Sequence, residues 1–299
     1  MTGEPFAGIY PILQTPFNND GSLDELSLRR EVDFCIRGGV HGVVIPAGVS
    51  EFFTLSTEER AAVIRMTVEE AAGRVPVLAG TSAPVKELAA SYSRTAEELG
   101  ADGVLTMFSY VRNPGEEQIY SFFDAVASAV SIPLMMQSSI SSPIPTNLAA
   151  RLLSEIPGIR YVKEEGDPPG LRISALLKSR ARHLSGVFGG MAGTYLITEL
   201  ERGACGNMPA AAFADVQVRI YEAFRSGDKE SARSMQRQLL PLIVIFNQYI
   251  TPVAKLILQR RGVFKTATSR DPAYHMPDEV DQREIERLLE ELSPLYVVK

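Results

Sequence analysis

Ile159-Arg160-Tyr161-Val162-Lys163-Glu164-Glu165-Gly166 reads as a short β-strand that runs into a loop, with a lysine close to its end. Strand side chains alternate between faces, which puts Ile159, Tyr161 and Lys163 on one side and Arg160, Val162 and Glu164 on the other. Apolar surroundings disfavour a charged amine and free its neutral form to act as a nucleophile. The plain alternative is a strand-end lysine that has reached water, as most lysines do. The fold around the strand decides between them.

Outward from this strand the same unit repeats. Upstream, short apolar runs at Ile9–Gln14, Gly42–Ala47, Val75–Gly80, Gly103–Met107 and Ile132–Met136 read as strands. Between them lie helical stretches at Leu23–Arg37, Thr57–Gly73, Pro84–Leu99, Gly115–Val130 and Thr146–Ser154. Ser22 and Asp24 are suitable caps for the first helix, and Gly38-Gly39 stops it. Downstream follow a helix at Gly170–Ser179, a strand at His183–Phe188 ending in Gly189-Gly190, a helix at Gly193–Arg202 and a strand at Ala204–Met208. A last helix at Phe213–Arg225 completes eight strand–helix units.

Short apolar strands alternating with amphipathic helices predict a parallel sheet covered on both faces. Eight units in about 220 residues fit a closed (β/α)8 TIM barrel better than an open sheet. No Gly-x-Gly-x-x-Gly follows the first strand, so dinucleotide binding has no support. From Asp228 the pattern is helical only, at Lys229–Phe246, Thr251–Arg261 and Asp278–Leu292. The expected organisation is a barrel over residues 1–226 with a C-terminal helical extension over residues 227–299.

Composition narrows the function. With 299 residues, 45% of them hydrophobic and 22% charged, the chain is long enough for one large core. A net charge of −6 without a run of lysine or arginine argues against nucleic acid or an anionic membrane surface as partner. Cys35 and Cys205 stand far apart and make neither a disulfide framework nor a metal spacing. His41, His183 and His275 are not spaced as ligands either, and no metal or cofactor is expected. Neither a secretory signal nor an apolar run near the ~20 residues of a membrane span is present, so a cytoplasmic protein is expected.

In a barrel of this kind the active site lies at the C-terminal ends of the strands. That rim comprises Thr15, Gly48 to Glu51, Thr81-Ser82, Ser109-Tyr110, Gln137-Ser138, Lys163 with Glu165, and Gly189-Gly190. Lys163 therefore falls where chemistry is done.

The order of motifs along the rim resembles the dihydrodipicolinate synthase and N-acetylneuraminate lyase family of lysine-dependent barrels, from about Gly8 to Leu258. Ala47-Gly-Val-Ser-Glu51 with Phe52-Phe-Thr-Leu55 is similar to the family's second-strand loop, and Ala79-Gly80-Thr81 to its third-strand motif. Tyr161-Val-Lys-Glu164 resembles the strand carrying the Schiff-base lysine, and Gly203-Ala-x-Gly206 the eighth-strand signature.

The resemblance implies a lyase in which Lys163 condenses with the ketone of a small 2-keto acid. The protonated imine is an electron sink that acidifies C3, so carbon–carbon bonds can be made or broken and a C4 substituent expelled. It also implies that Gly48, Val49 and Ser50 hold the substrate carboxylate through backbone N–H groups and the Ser50 hydroxyl, where the plain alternative is an ordinary turn. Glu51 is read as structural, capping or bracing the next helix. A homo-oligomer, dimer or tetramer, is expected on the same ground.

Departures from the family pattern choose among reactions. Gly48 and Val49 replace the synthase's paired threonines, and the fifth-strand tyrosine that shuttles protons is replaced by Gln137, which cannot titrate near neutrality. The synthase arginine is missing from Ser138 to Ile144. Lys163-Glu-Glu-Gly-Asp-Pro-Pro together with Gln137 instead resembles the 2-keto-3-deoxy-L-arabonate dehydratase branch, and Ser50-Glu51-Phe-Phe-Thr-Leu the 5-keto-4-deoxyglucarate dehydratases. Dehydration of a 2-keto-3-deoxy sugar acid is the first expectation, with pyruvate-dependent aldol cleavage, synthase-type condensation and a non-catalytic keto-acid-binding barrel as alternatives. Glu165 is the candidate acid or base, against a solvated loop carboxylate. Gln137 and Ser138 are expected on substrate hydroxyls, and Gly189 and Gly190 where the backbone approaches the sugar chain. Tyr110 and Arg112 either reach inward to substrate or serve a subunit contact.

Overall fold

A computed structural model describes residues 5–108 and 114–298. The first half runs β1 (Gly8–Ile9), α1 (Glu25–Arg37), β2 (Val43–Ile45), α2 (Thr57–Ala71), β3 (Val77–Gly80), α3 (Lys86–Glu98), β4 (Gly103–Thr106) and α4 (Glu116–Ala127). The second half runs β5 (Leu134–Ser138), α5 (Thr146–Glu155), β6 (Ile159–Glu164), α6 (Pro169–Ser179), β7 (Gly186–Gly189), α7 (Leu196–Glu201), β8 (Gly206–Asn207) and α8 (Ala214–Arg225). Three further helices follow, α9 (Lys229–Tyr249), α10 (Thr251–Arg260) and α11 (Glu279–Leu292).

The sheet is parallel throughout, in the order β1-β8-β7-β6-β5-β4-β3-β2. Its two edges meet at Ile12, which bridges Val44 on one side and Ala210 on the other. Pairing at the first strand is shorter than the expected Ile9–Gln14, because Pro11 has no N–H to give to the ladder. Single bonds, such as Leu13 N–H to the Val44 carbonyl at 2.9 Å, carry the contact onward.

Strands buried on both faces need apolar residues on both, which explains their unbroken apolar runs. Tyr10, Val44, Leu78, Leu105, Met135, Tyr161 and Phe188 pack together inside the barrel. Val104, Met136, Val162 and Val187 face outward onto a layer that includes Phe123, Leu148 and Ile173 from the helices. Asp24 caps α1 by accepting from the Ser27 N–H, whereas Ser22 bonds Asp20 in the preceding turn. At α2, Ser56 and Glu59 form a capping box.

Strand β6 corrects one expectation. Ile159 does not share a face with Tyr161 and Lys163; it packs in the outer layer. The register explains this, since Leu134 pairs with Ile159 but the next residue, Met135, pairs with Tyr161. Arg160 is the extra residue, exposed and without a partner on β5, and the bulge resets the alternation. From Tyr161 onward the parity holds, and Lys163 points into the barrel mouth.

Helices α9 to α11 share one core with α1 and α8, in which Leu239, Ile243, Ile257 and Leu288 meet Val32, Phe213 and Ile220. A buried ion pair locks this layer. Arg261, just after α10, donates to both carboxylate oxygens of Asp215 on α8, at 2.8 and 2.7 Å, and to the Val298 carbonyl at 2.9 Å. Removing one member of such a pair leaves the other charge buried, at a cost of about 3–5 kcal/mol. Arg261→Met is therefore expected to lower the urea midpoint by a corresponding amount with the denaturant slope unchanged. A midpoint within ~0.5 kcal/mol of wild type would show that the pair does not hold this layer.

Candidate active site

Strands β5 and β6 place Gln137 directly beside Lys163 in the ladder. Lys163 is 3% exposed, and its Nζ lies 2.9 Å from Glu165 Oε2. The same oxygen accepts from Gln137 Nε2 at 2.8 Å. Glu165 is thus neither a solvated loop carboxylate nor in apolar surroundings. Its backbone N–H is also fixed, donating to the Ser138 carbonyl at 2.7 Å.

The third hand on Glu165 comes from the turn after β7. Met191 N–H donates to Glu165 Oε1 at 2.9 Å. Burial alone would raise this carboxyl, but the Lys163 charge, the Met191 N–H and the Gln137 amide outweigh burial and hold it below the ordinary glutamate range. The turn is unusual in that Met191, Ala192 and Gly193 have φ of 50°, 54° and 77°. Left-handed backbone at two residues that carry a Cβ costs roughly 1–2 kcal/mol each, so the surroundings must enforce it.

The glycine pair is required by neighbouring carboxyl groups. A Cβ at Gly190 would overlap the Glu165 carboxylate, and one at Gly189 would overlap the carboxyl of Glu199. Glu199, on α7, lies behind the sheet with 0% exposure. One of its oxygens accepts from Asn207 Nδ2 at 2.9 Å, and the other has no partner among the described residues. Burial pushes this carboxyl up to about 8, the Asn207 amide opposing and the Glu165 charge adding to the rise. At neutral pH one carboxyl is ionised and its neighbour behind the wall is protonated.

The loop after β2 forms the opposite wall. Gly48–Ser50 is a single 3-10 turn. Ser50 is fully buried, and its hydroxyl accepts from the Ala47 N–H and donates to the Leu13 carbonyl. It holds the loop and is not open to a ligand, which corrects its assignment as a substrate donor. The N–H groups of Gly48 and Val49 have no acceptor among the described residues. Thr15 donates to the Ser50 carbonyl at 2.6 Å and Thr251, on α10, to the Val49 carbonyl at 3.2 Å.

Glu51 braces this loop without capping α2, the role that Ser56 fills. Fully buried, it pairs with Lys255 of α10 and accepts from the N–H groups of Arg270 and Asp271 at 2.8 and 3.0 Å. Lys255 in turn donates to the Thr268 carbonyl at 2.9 Å and sits over the Phe17 ring.

The structure thus brings together Lys163, Glu165, Gln137 and the Gly190–Met191 turn, with Gly48 and Val49 on the second-strand loop. It turns Ser138 away. One position on from Gln137, that hydroxyl faces outward and accepts from Ile144 N–H and Arg172 Nη2, both at 3.2 Å. Arg172 also pairs with Glu164 at 2.9 Å, so the outward face carries its own polar network. Tyr110 and Arg112 lie outside the described residues. Sequence reasoning missed Glu199, Lys255 and the Met191 N–H. The first two carried a signal, a lone charge in the apolar runs Leu196-Ile-Thr-Glu-Leu200 and Val253-Ala-Lys-Leu-Ile257. A backbone donor leaves none.

Comparison with known proteins places this site in context. Residues 5–292 match the dihydrodipicolinate synthetase family. An L-2-keto-3-deoxyarabonate dehydratase from Azospirillum brasilense is 33% identical over 97% of this chain and 96% of its own. A 4-hydroxy-tetrahydrodipicolinate synthase from Methanosphaerula palustris is 32% identical over 96% of this chain and 99% of its own. Among solved structures, a dihydrodipicolinate synthase from Rhodopseudomonas palustris superimposes with a TM-score of 0.88 at 26% identity, covering 96% of this chain and 98% of that one.

The raised Glu199 carboxyl has a measurable consequence. Between the ordinary glutamate value and about 8, the unfolded chain has released a proton that the folded chain keeps. Its contribution to stability therefore falls as pH rises through that window, by up to about 1.4 kcal/mol per pH unit. Glu199→Gln is neutral in both states and removes this slope. Urea titrations from about pH 5 to about pH 8 are expected to show the variant gaining on wild type as pH rises; parallel curves would show that Glu199 is ionised in the fold.

Proposed function

We propose, from the premise that this chain belongs to the dihydrodipicolinate synthetase family and is a class I lyase, that it removes water from a 2-keto-3-deoxy sugar acid. The observation that carries the reading is Glu165 bound at once to Lys163 and Gln137, at 2.9 and 2.8 Å. Among the described residues it is the titratable group in contact with the nucleophile, and Gln137 beside it cannot exchange a proton near neutrality.

Lys163 attacks C2 of the keto acid after passing a proton to Glu165, and loss of water gives the iminium. The free N–H groups of Gly48 and Val49 receive the substrate carboxylate. Glu165, again ionised, takes a proton from C3, which the iminium has made acidic. Electrons released at C3 expel the C4 hydroxyl, and the proton on Glu165 goes with it, leaving a C3=C4 bond conjugated to the iminium. Transfer of a proton from C5 to C3 then gives a C4=C5 enol, which becomes the C5 aldehyde. Hydrolysis of the imine then frees Lys163, so the balance is substrate minus one water. One carboxyl serves both proton steps, with Gln137 keeping it in place and binding a substrate hydroxyl. Condensation or aldol cleavage of pyruvate-type substrates is the second reading, supported by the synthase among the relatives.

The reading is tested by adding pyruvate or 2-keto-3-deoxy-L-arabonate, reducing with borohydride and mapping the adduct by mass spectrometry. An adduct on Lys163, absent from Lys163→Ala, is expected with both, and 2-keto-3-deoxy-L-arabonate is expected to give a semialdehyde of unchanged carbon count. Glu165→Gln is expected to lower turnover by about 10²–10⁴-fold while still giving the adduct. An aldehyde plus pyruvate would replace dehydration by cleavage. Absence of any adduct, with ligand binding unchanged in Lys163→Ala, would leave only a non-catalytic keto-acid-binding barrel.

A further inference from the structure

The turn from Gly190 to Thr194 is held from behind by three carboxamides on three different elements. Asn207 Nδ2, on β8, donates to the Gly190 carbonyl at 3.1 Å. Gln217 Nε2, on α8, donates to the Ala192 carbonyl at 2.7 Å. Gln236 Nε2, on α9, donates to the carbonyls of Gly193 and Thr194 at 2.9 and 3.3 Å. All three side chains are buried, at 0%, 0% and 6% exposure. In all three the amide oxygen has no partner among the described residues.

A buried amide that uses only its donor end is a poor stabiliser, since the unpaired oxygen carries a desolvation penalty. Here all three donor ends converge on the carbonyls of one turn. Its backbone is left-handed at Met191, Ala192 and Gly193, and its carbonyl groups point back toward the amides. A peptide unit whose carbonyl is drawn one way presents its N–H the other way, and the Met191 N–H, whose peptide partner is the Gly190 carbonyl held by Asn207, meets Glu165 at 2.9 Å.

We propose that Asn207, Gln217 and Gln236 are positioning residues for Glu165: by holding the carbonyls of the 190–194 turn they aim the Met191 N–H at its carboxylate. This rests on the reading of Glu165 as the proton-transfer group. The donor favours the ionised carboxylate, so releasing the turn shifts Glu165 toward its protonated form. The titratable groups that face Glu165 are Lys163 from β6 and Glu199 from α7; β5 contributes the uncharged Gln137 and the turn contributes only its N–H. No charged group in contact with Glu165 is altered by changing Gln217 or Gln236.

The test uses the full chain with Gln217→Met and, independently, Gln236→Leu, both of which keep the bulk and remove the donor. Glu165 is titrated by carbon NMR on protein labelled at the glutamate carboxyl carbons, its signal assigned by its loss in Glu165→Gln. The pH profile of kcat/KM is measured in parallel. In both variants the Glu165 titration and the acid limb of the profile are expected to move up together by about one pH unit. Thermal stability is expected to fall modestly, because the turn carbonyls lose the donor that the amide supplied. The proposal fails if the Glu165 signal titrates at the wild-type pH in both variants, whatever happens to turnover. Should one variant not fold, the other decides by the same signal. If Glu165→Gln leaves turnover and its acid limb unchanged, the role of Glu165 itself is wrong, while the NMR shift still reports on the turn.

Discussion

A carboxylate and an ammonium held 2.9 Å apart, almost out of reach of water, are the constraint around which the barrel mouth is built. Taking either charge from water costs several kcal/mol, and their attraction repays that only when the remaining hydrogen-bonding positions are filled. Here the filling is visible. Gln137 donates to the oxygen that Lys163 also contacts, and Met191 N–H donates to the other. Each donor imposes a further demand. The amide requires glutamine on β5 in register with Lys163, and the N–H requires a left-handed turn with a glycine at 190 to leave room for the carboxylate.

Burial pushes both carboxyls on either side of β7 upward, and their partners decide the outcome. Glu165 has a neighbouring ammonium and two donors, and stays ionised. Glu199 has one amide donor, no cation in contact among the described residues and the Glu165 charge near it, and stays protonated near neutrality. Two carboxyl groups whose environments drive them apart are a common sign of acid–base chemistry. In this barrel only one faces the mouth. The other lies behind the sheet against Gly189, so its neutrality spares Glu165 the repulsion of a second charge.

The fold was legible because its signals are local. Apolar runs, glycine stops and caps located the strands and helices of the barrel, the far end of the first strand excepted. Lys163 followed from its place on the rim, Glu165 from standing two residues beyond it and Gln137 from the matched fifth-strand position. What parity could not reveal was the bulge at Arg160, which moves Ile159 to the outer layer while leaving Lys163 inside. The same parity rule, applied to β5, separates Gln137 from Ser138, which was expected beside it. Ser50 was misread for a different reason: a loop hydroxyl in a matched motif carries no mark of whether substrate or backbone will claim it, and backbone did. The amides beneath the 190–194 turn were illegible because each contact joins residues 17 to 43 positions apart, and nothing local distinguishes Gln217 or Gln236 from any other helical glutamine.

The helices after Asp228 show how far a boundary read from pattern can be from one of function. Secondary structure changes there from alternating to purely helical, which is why the sequence divides naturally near residue 227. Yet Lys255 of α10 neutralises Glu51 across 204 positions, and Thr251 fixes the Val49 carbonyl across 202. Both contacts end on the loop whose free N–H groups face the substrate carboxylate in the proposed reaction. Without α10, Glu51 would be a buried charge with only backbone donors, and the loop would lose the groups that hold Val49 and Glu51 in place. The barrel supplies Lys163, while the following helices hold the loop after β2 in place.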